Sequence, residues 1–191
     1  MLGDALQWVS CDGGPHVLLP RTAFGLWNRQ RNGPSRISKG FPSDYCEACK
    51  IALAHDVGVI AVAGSFGLVI GGDDVPMSTW IPETRNGGGT IVVAQEWQSN
   101  SSDLEIVEAI HRLPTTALRQ DRVFITVSER DFVLFAASDF PQRLLYSTLS
   151  FEMRPGEYEV ASGQCLDAND TLLRVHRLGP GQKRCQEPIR R

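Results

Sequence analysis

Two cysteines three residues apart are the clearest candidates for chemistry in this sequence. Cys46 and Cys49 form a CxxC motif, and Cys46 would lie in the first turn of a predicted helix, where the helix dipole stabilises a thiolate. The motif therefore suggests a redox protein or a thiol-dependent enzyme. Against this, a loop rich in glycine, proline and serine precedes the motif, and no second pair completes a zinc site. Structural cysteines are the alternative.

The other reactive residue types do not form a recognisable site. The four histidines stand apart, and the glycine run at 87–89 lacks the spacing of a phosphate-binding loop, so it predicts a hairpin turn. Ser65 is flanked by two apolar segments, which predicts a hairpin tip rather than a nucleophile. Asp73 and Asp74 would point to opposite sides of an extended chain. None of these patterns identifies a catalytic, cofactor or metal site.

Length and composition indicate one folded domain over residues 1–191. The chain has 191 residues, 42% of them hydrophobic, which is enough apolar material for a continuous core. No stretch is long and apolar enough to predict a membrane-spanning helix, and the N-terminus lacks the charge and apolar pattern of a signal peptide. Five cysteines at irregular spacing argue against a disulfide framework. We therefore expect a cytoplasmic protein with reduced thiols.

The net charge of −3 conceals an uneven distribution. Residues 21–39 carry only basic charges, residues 40–111 carry ten acids against two bases, and residues 174–191 carry six bases against one acid. The acidic middle third also holds two tryptophans, a composition typical of surfaces that anchor a basic protein partner. The predicted partner-binding residues are Asp73, Asp74, Trp80, Glu83, Glu96 and Trp97. The alternative is that both tryptophans lie in the core. A nucleic-acid-binding accessory role for the basic segments is a further alternative.

Local patterns predict a few elements and one long loop. Residues 7–11 and 16–19 read as the strands of an entrance hairpin, and residues 28–43 read as an exposed basic loop. A first helix is expected from Asp44, with Glu47 completing a capping box, to about Asp56. A second helix should run from about Asp103 to near Pro114. Its buried stripe is predicted to contain Leu104, Val107, Ile110 and His111.

The remaining segments predict an α+β fold with an internal repeat. Residues 59–63 match 124–128 in pattern, and residues 68–70 match 133–135 at the same offset. The sequence therefore predicts two pseudo-repeated antiparallel β modules of about four strands each, at 57–97 and 122–163, with two main helices and a basic tail at 179–191. The predicted core residues are Val59, Ile60, Val62, Leu68, Ile70, Val123, Ile125, Val127, Val133 and Phe135.

Several spaced motifs resemble immunity protein family 21, small bacterial proteins encoded beside polymorphic toxins. Trp8 is followed by a glycine-glycine-proline turn at 13–15, then by Trp27, and a helix opens at Asp44-Tyr45. The apolar segments at 57–60 and 68–71 and the Thr79-Trp80 pair follow. The basic loop before Asp44 and the arginine-rich tail depart from the pattern. The resemblance implies an α+β fold without catalytic residues or cofactor, which binds and neutralises a cognate toxin domain. It identifies no contact residues.

Overall fold

The computed structural model of the protein describes two antiparallel β-sheets and three helices. The described residues are 5–11, 13–27, 43–71, 76–83, 88–95, 101–139 and 147–181. Within these ranges, no helix is long and apolar enough to cross a membrane. The basic loop at 28–42 and the tail from 182 onward lie outside the described residues.

Each sheet is antiparallel throughout, and five of the nine neighbouring pairs among the described strands join strands that are not consecutive in the chain. The six-stranded sheet has the order β1 (Val9–Ser10), β5 (Pro76–Pro82), β6 (Gly89–Gln95), β11 (Leu172–Pro180), β10 (Gly156–Leu166) and β7 (Arg119–Val127). The five-stranded sheet has the order β3 (Val57–Val62), β4 (Ser65–Ile70), β2 (His16–Pro20), β8 (Asp131–Ala136) and β9 (Leu149–Glu152). The helices are α1 (Arg21–Phe24), α2 (Asp44–Ala54) and α3 (Asp103–Arg112).

The two sheets pack face to face, and the helices cover their outer faces. In β4, Leu68 and Ile70 belong to the core between the sheets, whereas Val69 packs on the opposite face against the layer that contains α1 and α2. In β6, Ile91 faces the inner core and Val92 faces α3. Because both faces of each sheet are buried over these strands, the strand sequences are continuously apolar rather than alternating. The result is a four-layer arrangement of helix, sheet, sheet and helix.

The α+β class predicted from the sequence is confirmed, whereas the topology does not confirm the pseudo-repeat. The matching segments 59–63 and 124–128 fall in β3 and β7, which belong to different sheets. The entrance hairpin is wrong for a similar reason. Strand β1 pairs with β5, and β2 pairs with β4 and β8 in the other sheet, so the chain crosses between sheets at residues 11–15.

The predicted hairpin tip before Ser65 is confirmed. Strands β3 and β4 pair from Val57 opposite Ile70 to Val62 opposite Ser65, leaving a two-residue turn. Both turn residues, Ala63 and Gly64, have positive φ angles of 51° and 85°. A turn of this kind matches the twist of the two strands, and glycine adopts its second position without strain.

Helix α2 begins at Asp44 as predicted, but its cap is Ser43. The Ser43 hydroxyl accepts a hydrogen bond of 3.1 Å from the backbone amide of Cys46. The predicted capping box with Glu47 is therefore wrong, and Glu47 instead pairs with Lys50 at 3.2 Å. Only Ala48 of this helix is fully buried, and Leu53 is 89% exposed.

Helix α3 begins with a complete capping box formed by Ser102 and Glu105. Hydrogen bonds from the Ser102 backbone amide and hydroxyl hold the pKa of Glu105 below its usual value. The buried stripe consists of Ile106, Val107 and Ile110. Leu104 and His111 were predicted on this stripe but are exposed, because the helix turns its 106–107 side toward the sheet.

The predicted core is largely confirmed, with two informative exceptions. Val59 is 38% exposed and Val123 is half-buried, whereas the other eight residues are buried. Both exceptions alternate with residues of the inner core: Val57 precedes Val59 by two positions, and Ile125 follows Val123 by two. Val59 and Val123 therefore lie on inner sheet faces at a place where the core does not close.

His16 is buried at the start of β2 and connects the two sheets. Its Nε2 lies 3.1 Å from the carbonyl oxygen of Val9, and its Nδ1 lies 3.1 Å from the hydroxyl oxygen of Ser78. In a neutral ring, Nε2–H donates to Val9 and Nδ1 accepts from Ser78, so both nitrogens are satisfied. Burial lowers the pKa of His16 to about 4, while the hydrogen bond to Val9 acts in the opposite direction.

We expect His16 to make the protein less stable in acid. The unfolded chain binds the proton near the ordinary pKa of 6.5, whereas the folded protein binds it only at about 4. The stabilisation is therefore complete above the unfolded pKa and is lost as the pH falls toward the folded one. Between about pH 7 and pH 5, this residue should remove about 2 kcal/mol from the free energy of unfolding.

Urea denaturation of the wild type, His16→Gln and His111→Gln at both pH values measures this contribution. His111 is exposed on α3, so His111→Gln should lose as much stability in acid as the wild type. His16→Gln should lose less, because the contribution of His16 is absent. An equal loss of stability in acid for His16→Gln and the wild type would contradict the assignment.

Candidate functional site

The structure describes two of the six predicted partner-binding residues, Trp80 and Glu83. Trp80 is 6% exposed in the core between the sheets, where its ring stacks on Phe151 with centroids 4.2 Å apart. A Cβ atom at Gly89 would overlap the Trp80 ring, so the glycine run before β6 makes room for the tryptophan. Trp80 therefore lies in the core, which is the alternative that the sequence left open for it.

Glu83 directly follows β5, and both its backbone amide and its carboxylate have partners within the protein. Its backbone amide donates to the carbonyl oxygen of Gly88, which closes the β5–β6 hairpin predicted at the glycine run. Its carboxylate Oε1 lies 3.4 Å from Nε of Arg177, which faces away from the inner core, so the two side chains form an ion pair. The other four predicted residues, Asp73, Asp74, Glu96 and Trp97, lie outside the described residues.

The acids of the middle third do not form one surface in the described part of the chain. Asp44 and Glu47 belong to α2, on the outer face of the five-stranded sheet. Asp103 and Glu105 belong to α3, on the opposite side of the molecule. Asp103 also has a structural role, because it accepts hydrogen bonds from the backbone amide of Leu6 at 2.8 Å and from the Trp8 indole at 3.3 Å.

The CxxC cysteines are free thiols on α2. Cys46 is exposed and Cys49 is half-buried, and the backbone amide of Cys46 takes part in the Ser43 cap. Among the residues that the structure describes, no group of three or more histidine, cysteine, aspartate or glutamate side chains could hold a metal ion.

A cleft of about 800 Å³ lies where the inner core fails to close, and we call it the seam cleft. It is lined by β3, an edge strand of the five-stranded sheet, and by β7, an edge strand of the six-stranded sheet, beside the place where these strands approach each other. The C-terminal turn of α2 forms its third wall. Its apolar lining includes Ile51, Leu53, Val57, Val59 and Val123.

A second recess of about 310 Å³ adjoins the seam cleft, and we call it the polar recess. Both cavities are lined by Asp56 and Arg119, whose Oδ2 and Nη2 atoms lie 3.6 Å apart across the seam between the sheets. The remaining lining of the polar recess comes mainly from β10 and β11. It consists of Ala117, Ser162, Gly163, Gln164, Arg174 and His176.

Ser162 and His176 form the buried floor of the polar recess. The Ser162 hydroxyl oxygen lies 2.7 Å from Nδ1 of His176, and both residues are buried. Farther along the same hairpin, Leu166 and Leu172 lie opposite each other and are exposed. The alternation of β10 and β11 places these residues on the inner face of the six-stranded sheet. At this end of the sandwich, the inner face is therefore open.

The sequence predictions missed both cavities, although two of their residues were identified. Val59 and Val123 were recognised as core residues, but nothing in a single sequence indicates that their strands end up as edges of different sheets. The lining of the polar recess comes from positions as far apart as Asp56 and His176. Such positions meet only through long-range strand pairing.

The burial of Trp80 makes its replacement a test of stability rather than of binding. Trp80→Ala would remove a ring that fills the space between the sheets and would leave Phe151 without its stacking partner. We expect a loss of about 3–5 kcal/mol in the free energy of unfolding. Chemical denaturation measures this loss, and Trp80→Phe should retain much of the stability. A loss below about 1 kcal/mol would place the ring outside the core.

Similarity to known proteins identifies a family for this chain but no contact residues. No curated protein and no solved structure is significantly similar to this chain. The model of the family described as Immunity protein 21 matches residues 7–171. This family is not catalytic, so the thiol-dependent enzyme considered for Cys46 and Cys49 is wrong. The match spans most of the sequence, and the protein belongs to the Immunity protein 21 family.

Proposed function

We propose that this protein acts in the cytoplasm and neutralises its cognate toxin domain by binding it directly, with the seam cleft as part of the interface. The family supports the immunity role. The observation that supports the location is that residues on the inner faces of the sheets reach the surface at the cleft. Apolar side chains that continue a hydrophobic core into an open recess are typical of binding sites.

Val59, which lines the cleft, and the exposed Phe66 outside its lining lie close together on one sheet face. Val59 pairs with Leu68, and Ala61 pairs with Phe66, so Val59 and Phe66 are diagonal neighbours across the β3–β4 hairpin. Val59 is 38% exposed and Phe66 is 53% exposed. A toxin segment that enters the cleft beside Val59 and continues along this sheet face would cover Phe66 as well and would extend the inner core.

The opposite edge of the sandwich contrasts with the cleft. There, Trp80 of the six-stranded sheet stacks on Phe151 of the five-stranded sheet, which fills the space between the sheets. The openness at β3 and β7 is therefore a local property of one edge and not a general looseness of the core. This contrast favours a partner at the seam cleft.

The nucleic-acid alternative stays a prediction. It depends on the basic segments at 21–39 and 174–191, and most of the basic side chains in them lie outside the described residues. Those that are described include Arg177, which pairs with Glu83. A protein partner is favoured because the family consists of immunity proteins.

A basic toxin is our expectation from the acidic middle third, and association kinetics test it. If Asp73 and Asp74 attract a basic toxin, the double variant Asp73→Asn/Asp74→Asn should associate more slowly at low salt, because long-range attraction acts mainly on the association rate. Stopped-flow measurements at two salt concentrations check this. Association that is insensitive to both salt and the double substitution would argue against a basic toxin.

Introducing a charge at Val59 in the seam cleft, or at Phe66 on the same sheet face, tests the proposed interface. Val59→Arg and Phe66→Arg should each weaken toxin binding by at least about tenfold, since a buried apolar contact of a hot spot contributes more than about 1–2 kcal/mol. Leu104→Arg is the matched control, because Leu104 is 58% exposed on α3 at the opposite outer face. Titration calorimetry with the toxin domain and growth of cells that co-express the toxin measure the effect.

Urea denaturation establishes that the variants fold before their affinities are compared. Phe66→Arg is the safer of the two, since its side chain is already half exposed near the hairpin tip. If folded Phe66→Arg and Val59→Arg bind and neutralise the toxin as well as Leu104→Arg does, the interface lies elsewhere. If the wild type itself does not bind the toxin, direct neutralisation is wrong.

A further inference from the structure

The polar recess has a chemistry that differs from the seam cleft beside it. Among the residues that the structure describes, its lining contains the guanidinium groups of Arg119 and Arg174 and the carboxylate of Asp56. The hydroxyl of Ser162 and the ring of His176 add polar groups at the floor. A recess with this lining favours a group with negative charge and several hydrogen-bond acceptors.

The residues of the recess approach from two directions and leave its mouth accessible. Arg119 begins β7 and lies opposite Ser162 in the register of β7 and β10, so both side chains point to the inner face. Arg174 and His176 are two residues apart on the neighbouring strand β11, so their side chains lie on the same face. The side chains of Asp56 and Arg119 are mostly exposed, so their ion pair is screened by water and can admit another charged group at little cost.

We propose that the polar recess binds the carboxylate of an aspartate or glutamate side chain of the toxin, an inference that rests on the function proposed above. Guanidinium groups bind carboxylates through paired, charge-assisted hydrogen bonds, and a hydroxyl can donate a further one. A cationic side chain would meet two arginines. An apolar side chain would cover the exposed Arg119 guanidinium without offering it a hydrogen-bond acceptor, which is costly.

The two cavities together specify a composite partner motif. Because they share Asp56 and Arg119, a single toxin segment can place an apolar side chain in the seam cleft and an acidic one in the polar recess. The apolar contact would supply most of the affinity, and the charged contact would fix the orientation of the segment. This local acidic group is compatible with a toxin that is basic overall.

A small carboxylate probe tests the recess without the toxin. The full chain is titrated with the α-methylamide of N-acetyl-glutamate, whose only charge is the side-chain carboxylate, while the NMR signals of the His176 ring and the Arg119 side chain are followed. The α-methylamide of N-acetyl-glutamine at matched ionic strength and inorganic phosphate serve as comparison ligands. Arg174→Gln and Arg119→Gln remove recess charges. Arg112→Gln is the matched control, because Arg112 is an exposed arginine on α3, paired with Glu108 at 2.7 Å.

We expect saturable shifts with the glutamate probe, none with the glutamine probe, which has no carboxylate, and binding that is weaker by at least about tenfold in either recess variant. Arg112→Gln should behave as the wild type. With the toxin domain, Arg174→Gln and Arg119→Gln should also lower affinity by about tenfold or more. Two arginine variants are used so that a folding defect in one leaves the other informative.

The outcomes separate this inference from the proposed function. If Phe66→Arg abolishes toxin binding while both recess variants bind normally and the glutamate probe produces no saturable shift, the carboxylate site is wrong and the toxin interface stands. If phosphate saturates the recess and the glutamate probe does not, the carboxylate assignment is likewise overturned. If the probe binds as expected but the wild type does not bind the toxin, the function proposed above fails and the anion site remains without the partner assigned to it.

Discussion

The inner faces of both sheets must be buried against each other, and the rest of the structure depends on this contact. Leu18, Ile70, Ile91 and Val160 are among the side chains that meet there, drawn from strands spread along nearly the whole chain. Burial of this apolar area is the main favourable contribution to folding. His16 is the polar exception within the layer. It is tolerated because its neutral ring satisfies both nitrogens with groups of the opposite sheet.

The outer faces of the sheets are also apolar and must be covered, and the helices provide this cover. The apolar side chains of β4 and β6 that point away from the inner layer would lie in water without a cover. Helix α2 covers one side mainly with Ala48, and α3 covers the other with Ile106 and Ile110. The weak apolar face of α2 is sufficient because Trp27 and Phe135 also fill this layer, with their rings 5.2 Å apart.

Local signals in the sequence were sufficient for the elements but not for their partners. The strand pattern at 57–62 and 65–70, the turn between them and the start of α3 depend on neighbours within a few residues, so they could be predicted. The separation of β1 from β2 could not, because strand pairing is decided by contacts across the whole chain. Even within α3, the Ser102 cap is local, while the choice of Val107 over Leu104 for burial depends on the sheet beneath it.

The misassignment of Trp80 has the same physical cause. Nearness in sequence to acidic residues suggested a shared surface, but successive residues of a strand point to opposite faces. Trp80 faces inward to Phe151, while the neighbouring Ile81 faces the α3 layer. The cavities could not be predicted from the sequence for a related reason. They form between edges of different sheets, and a single sequence does not indicate which strands become edges.

The open edge has an energetic consequence for an immunity protein. Exposed Val59 and Phe66 lower the stability of the free protein relative to a sandwich closed on both sides, as the Trp80–Phe151 stack closes the other edge. A toxin that fills the cleft would restore this burial, and its binding free energy would add to the stability of the fold. Affinity and stability are therefore coupled at the seam. A substitution that closed the cleft with this protein's own side chains would stabilise the free protein while removing the surface proposed for the toxin.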